Sequence, residues 1–248
     1  MRIKAILVLM IFLFPGPGRE ARAEWEDMVG KSPIWNAENS DHLFREHAWS
    51  LKAGYHFFSG SGYTDAWKID PRRLNSLAFE ASYERVVWTY LGLELGAGYW
   101  GVKKKSTNAI HYTDAAKLDL NNVYLAPTVK GILPLTNHWA VYAGGGADLY
   151  YSWAEQTYVY GLTGRVKNKT QRLIPGWHVL AGTEIYIMPN PGGQDVYDWP
   201  VGLFVEYKYS QAVWPNMDED IIGRTGRSSS HDLNLGGHWI FCGLRFHI

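Results

Sequence analysis

The sequence predicts an all-β protein, an eight-stranded antiparallel up-and-down transmembrane β-barrel with short periplasmic turns and long extracellular loops. Three observations predict it. The chain begins like an exported protein and then has no apolar run long enough to cross a bilayer as a helix. Eight stretches alternate with period two, one parity apolar and the other small or ionisable. The connections between them are alternately short and long, as expected when every second turn faces the periplasm.

At the N-terminus, Arg2 and Lys4 precede ten apolar residues, Ala5 to Phe14, and Ala21-Arg22-Ala23 offers a small-x-small cleavage site. Residues 1–23 therefore read as a signal peptide, 24–47 as a periplasmic N-terminal segment and 48–248 as the barrel domain. Cleavage would remove Arg2, Lys4, Arg19, Arg22 and Glu20, leaving 20 basic against 23 acidic side chains. That balance argues against a nucleic-acid partner. Cys242 is the only cysteine, so neither an internal disulfide nor a cysteine metal site is available. The 12 Trp, 16 Tyr and 26 Gly against 19% charged residues favour strands over helices.

The alternation places strands at about 48–58, 75–84, 88–100, 119–133, 139–153, 172–188, 200–211 and 233–248. Trp49, Leu51, Ala53, Tyr55 and Phe57 share the apolar parity of the first, and Leu91, Leu93, Leu95, Ala97 and Tyr99 that of the third. This parity is assigned to lipid. The opposite parity carries glycines and a candidate lumen charge network of Lys52, Glu80, Glu84, Glu94, Lys130, Asp148, His178, Glu184, Glu206, Lys208 and Arg245. An eight-stranded lumen is only wide enough for its own side chains, so these opposite charges are expected to pair across it. Aromatics at strand ends, Trp49, Tyr83, Trp88, Trp139 and Trp199 on one rim and Tyr99, Tyr151 and Tyr209 on the other, suit two interfacial girdles.

Short connections are expected at Arg85–Val87, 134–138 and 189–199, and long polar ones at 59–75, 101–118, 154–171 and 212–232. With Asn122-Val-Tyr-Leu-Ala-Pro, Trp139-Ala-Val-Tyr-Ala-Gly-Gly-Gly-Ala-Asp-Leu-Tyr-Tyr and the closing Gly237-His-Trp-Ile-Phe-Cys-Gly-Leu-Arg-Phe-His-Ile, residues 48–248 resemble the small outer-membrane barrels of the OmpA-domain, OmpX and OmpW families. The resemblance implies location in the cell outer membrane, contact with outer-membrane lipids and lipopolysaccharide, and a C-terminal strand (Ile240, Leu244, Phe246, Ile248) read by the barrel-assembly machinery. Ile248 stands where those families usually end on an aromatic. The resemblance leaves the oligomeric state open.

No local pattern supports a catalytic set, a metal or a cofactor. Gly144-Gly145-Gly146 lies within a strand, where a phosphate loop would need a helix to follow. His42, Glu46 and His47 have the wrong spacing for a zinc protease, and Ser230, His231 and Asp232 are merely adjacent in sequence. The expected function is structural or surface-interactive, with a narrow solute channel as the alternative and lipid A hydrolysis third. Lys103-Lys104-Lys105, expected at a loop tip, is a candidate contact for lipopolysaccharide phosphates.

Overall fold

The computed structural model describes residues 47–66, 70–88, 90–106, 113–136, 139–160, 164–187, 201–217, 220 and 231–247. The signal-peptide and periplasmic-segment readings, and Trp199, Ser230 and Ile248, lie outside them. The strands are β1 (His47–Phe58), β2 (Ser76–Trp88), β3 (Leu91–Ser106), β4 (Thr113–Thr136), β5 (Trp139–Tyr160), β6 (Gly164–Ile187), β7 (Val201–Trp214), the two-residue β8 (Leu233–Asn234) and β9 (Gly237–His247).

Each strand pairs antiparallel with the next from β1 to β7. β9 then pairs with β7 on one side and with β1 on the other, from Ala48↔His247 to Phe58↔Gly237. The sheet is thus a closed barrel of eight staves, with β8 added where β7 ends. Among the described residues closure leaves no unpaired strand edge within the barrel, although the β4–β5 pairing is interrupted at Pro127 between Leu125↔Leu149 and Thr128↔Gly146.

The strands form because the two parities face different surroundings. Leu51, Leu77, Phe79, Leu173, Ile185 and Val205 are exposed on the outside, while Lys52, Glu94, Lys130, Glu206 and Arg245 are at most 3% exposed. Among the described residues between the aromatic rims, the outward positions are apolar or uncharged apart from Arg85, which stands on the outward parity of β2 beside the rim residues Tyr83 and Trp88. A soluble barrel would have the reverse distribution.

Several element ends differ from the sequence reading. Arg85–Val87 is not a turn: β2 continues through it to Trp88, with a bulge between Val86 and Trp88. The connections expected as loops at 101–118 and 154–171 are largely strand, because β3 to β6 continue as a paired ladder well past the outer rim. Beyond the apolar band both faces of that ladder can be polar, so the period-two signal fades there. The last strand, read as continuous from 233, is broken at Leu235 and Gly236 between β8 and β9.

Candidate functional site

The interior has three levels. Toward the outer end it is apolar, and the first and last outer loops fold down into it. Tyr63 and Leu74 from the first loop, and Met217, Leu233 and Leu235 from the last, pack among Trp100, Val102, Leu118, Leu120 and Trp214. A short helix, Gly62–Ala66, carries Tyr63. The two loops are tied to each other by Tyr63 N–H donating to the Asp232 carbonyl (3.1 Å), and Tyr63 Oη reaches Gln156 (2.9 Å). Just below, the His56 ring stacks on Trp239 with centroids 3.9 Å apart, and Trp239 Nε1 donates to Ser210 (2.9 Å).

The middle level is ionic. Lys52 Nζ donates to Glu94 and Glu206, both at 2.9 Å, and lies 2.8 Å from Glu80. Lys130 bonds Glu94 and Glu84 and lies 3.6 Å from Glu206. Arg245 donates to Glu184 (2.6 Å), whose other oxygen meets His247 (2.7 Å). Lys208 bridges Glu80 (3.6 Å) and Asp148 (3.4 Å), and Tyr124 Oη donates to Glu80 (2.8 Å). Every one of these groups is buried, where a charge left alone would be very costly and a shared hydrogen-bonded partner offsets much of that cost.

The register explains how such long side chains fit. Lys52 stands opposite Gly243, Glu80 opposite Gly98, Lys130 opposite Gly92 and Gly144, His178 opposite Gly146, Glu206 opposite Gly182 and Arg245 opposite Gly202. Lys130 crosses the space left at Gly144 and His178 that at Gly146, while Gly98, Gly182 and Gly243 admit the rings of Tyr124, Tyr142 and Phe204, and Gly202 admits Glu184. Rings insert the same way: Tyr142 lies under both Lys130 (4.8 Å from the ring centroid) and Arg245 (5.1 Å). At the periplasmic level Tyr142 packs with Ile132, Ala140, Leu180 and Tyr186.

Sequence reasoning missed part of this interior. It assigned charges and glycines to the lumen but overlooked Trp100, Tyr124, Tyr142, Tyr150, Trp239, Phe241 and His247, all buried. Parity was the available signal, since Trp100 shares that of Glu94, and Trp239 and His247 that of Arg245.

His178 joins Asp148 through Nδ1 (2.9 Å) and Thr128 Oγ1 through Nε2 (2.9 Å), the connectivity of a nucleophile triad. All three are at most 5% exposed, and Thr128 Oγ1 also donates to the Ala126 carbonyl (3.2 Å). Gly144, Gly145 and Gly146 lie within β5. Cys242 is exposed on the lipid-facing parity.

On the outer surface Trp49, Trp88 and Trp139 mark the periplasmic rim and Tyr99 and Tyr151 the opposite one, all exposed, with Tyr83 and Tyr209 half-buried. Ile240 and Leu244 of β9 point outward and exposed, and Phe246 is half-buried.

Above the outer rim, outward positions turn from apolar to charged in register across four strands. Lys103, Asp119, Glu155 and Lys169 stand side by side, with Lys117, Thr157 and Lys167 in the next row out. Lys103 pairs with Asp119 (2.9 Å), and Lys167 and Lys169 both reach Glu155 (2.8 and 3.6 Å). The hydrogen bond from Lys167, with the charges of Lys167 and Lys169, holds the Glu155 carboxyl below the usual carboxylate range. A depressed carboxylate stabilises the fold above its ordinary value, and that contribution is lost as pH falls through the depressed one. Amide protection at the β5–β6 end of the sheet, taken relative to the intrinsic exchange rate at each pH, is therefore expected to hold down to about pH 4 and to fall below it. A fall beginning near neutral pH would contradict the pairing.

No protein-family model and no curated protein matches the sequence. Solved structures do. The Neisserial surface protein NspA is similar at 11% identity, covering 82% of this chain and 96% of that one with a TM-score of 0.46. Ail, the attachment invasion locus protein of Yersinia pestis, is 13% identical over 81% of this chain and 98% of that one, TM-score 0.40. The N-terminal β-barrel domain of Pseudomonas aeruginosa OprF is 8% identical over 82% and 97%, TM-score 0.36. Likenesses this distant concern the fold alone, and the fold rests on the closed strand pairing of this chain. By that pairing the chain is a closed eight-stranded antiparallel up-and-down β-barrel.

Proposed function

We propose that the protein is exported by residues 1–23 and resides in the cell outer membrane as a plugged barrel that presents its protruding β3–β6 sheet to partners outside. The observation that carries this reading is the inverted surface: an apolar exterior between two aromatic rims around a charged, filled interior. Outer-membrane lipids surround the apolar band, and the assembly machinery reads β9 during insertion. The apolar plug and the ionic level lie in series, which supports a structural or surface role over conduction. The burial of Thr128, His178 and Asp148 likewise favours a non-catalytic role.

Two measurements test this. On gels the membrane-extracted protein should migrate differently unheated and boiled, and in planar bilayers it should give no stepwise conductance. Protein recovered in the soluble periplasmic fraction would overturn the membrane location, and discrete conductance steps would overturn the plugged lumen.

The Lys103–Lys105 run lies on β3 beyond Tyr99 of the outer rim, a position that supports contact with lipopolysaccharide phosphates. Replacing all three lysines by serine is expected to weaken retention on immobilised lipopolysaccharide at low salt. Unchanged retention would remove that contact.

A further inference from the structure

Among the described residues the protruding sheet has no strand paired at its sides, although the barrel beneath it is closed. Pairing between β6 and β7 begins only at Gly176↔Ala212, so Gly164 to Pro175 of β6 are paired with β5 alone. Near the rim this edge is partly occupied, because Arg172 Nη1 donates to the Pro215 carbonyl (3.2 Å) and to Asp220 (2.9 Å). Among the described residues no strand pairs with the outer edge of Gly164–Gln171. That stretch spans on the order of 25 Å of backbone, and every second peptide unit along an antiparallel edge turns its N–H and C=O away from the existing partner.

An unpaired edge recruits another strand unless something prevents it. Lys167 and Lys169, whose side chains are 49% and 71% exposed, flank this edge on its outward face. They select the incoming strand by charge. A second copy of β6 would set lysine against lysine, and the β3 edge of a second copy would bring the Lys103–Lys105 run, so self-pairing is disfavoured in either arrangement. A strand bearing carboxylates on the same face would instead meet ammonium groups that now share the single carboxylate of Glu155.

We propose that the β6 edge at Gly164–Gln171 is a docking site for an extended acidic segment of another protein, added as a further strand of the β3–β6 sheet. Main-chain hydrogen bonds would supply affinity, and the Lys167 and Lys169 pair would supply selectivity and register. The inference rests on the surface-interaction reading above, since the edge must face the exterior.

The test uses full-length mature protein in lipid nanodiscs and a labelled eight-residue peptide alternating Glu and Thr. Two further versions are N-methylated at alternate residues, one in each phase, and a fourth carries Lys in place of Glu. The expected result is saturable binding of the acidic peptide, loss of about tenfold in affinity for one N-methyl phase only, and a similar loss in the Lys167→Glu/Lys169→Glu variant. Equal binding of both N-methylated peptides would reduce the contact to charge attraction and overturn strand addition. So would absence of peptide binding to an inserted, heat-modifiable barrel, or lysine-dependent capture of lipopolysaccharide micelles in place of peptide. Failure to insert, read on the same samples by gel shift, would instead count against the membrane reading.

Discussion

Replacing Lys52 with methionine is expected to destabilise the barrel by about 3–5 kcal/mol, the cost of leaving buried carboxylates without a partner. Lys52 is the hub of the middle level, within 2.9 Å of Glu80, Glu94 and Glu206. Methionine keeps the stem and loses the charge. Lys130 still reaches Glu94 and Glu206, and Lys208 still reaches Glu80, but each is already shared. The network holds six carboxylates against four Lys and Arg side chains, so removing one cation deepens an existing imbalance. Adding Glu206→Gln to Lys52→Met should recover part of the loss, because the two sites share one interaction and their effects are not additive. Denaturant unfolding of the protein in vesicles would measure both. A single variant as stable as the parent would mean that the lysine contributes nothing net.

The second large effect is expected from Gly98→Ala, which should cost about 1–3 kcal/mol through overpacking. A β-carbon built at Gly98 would lie 2.3 Å from the Tyr124 ring. That ring has little room to move: its hydroxyl is bonded to Glu80, Lys208 sits over one face 4.9 Å from the centroid, and Tyr150 packs 5.3 Å away. Shifting Tyr124 therefore disturbs the apolar plug and the ionic level together. Trimming the ring in the double variant Gly98→Ala/Tyr124→Leu should relieve the clash, although it leaves Glu80 without its phenol donor. If Gly98→Ala alone left stability unchanged, the glycine would not be the space that admits the ring.

How much was legible in the sequence follows from where the physics is local. Along each stave the parity of Leu, Val and Trp against Glu, Lys and Gly stands out, because lipid and lumen impose opposite demands on successive residues. That parity places the inward charges and the outward aromatics without knowledge of any contact. It was read too narrowly inside, where charges and glycines were assigned to the lumen and the large rings of the same parity were overlooked. Trp100, Tyr124 and Trp239 are buried there, and Gly98 opposite Tyr124 leaves the room that its ring fills. Beyond the outer aromatic rim the outward positions turn from apolar to charged, and the continuation of β3 to β6 was read as loop for that reason.

The sequence by itself determined the barrel, its eight staves and the parity that carries the inward charges. Only the tertiary structure decided which charges meet, as with Lys52 and Glu206, 154 residues apart, because pairing across a lumen depends on the stagger between strands and no local pattern encodes it. It also decided that residues of the first and last loops plug the outer mouth, and that among the described residues no strand covers the β6 edge of the protruding sheet. Both follow from where one strand stops relative to its neighbour, a relation between distant segments that period-two alternation does not carry.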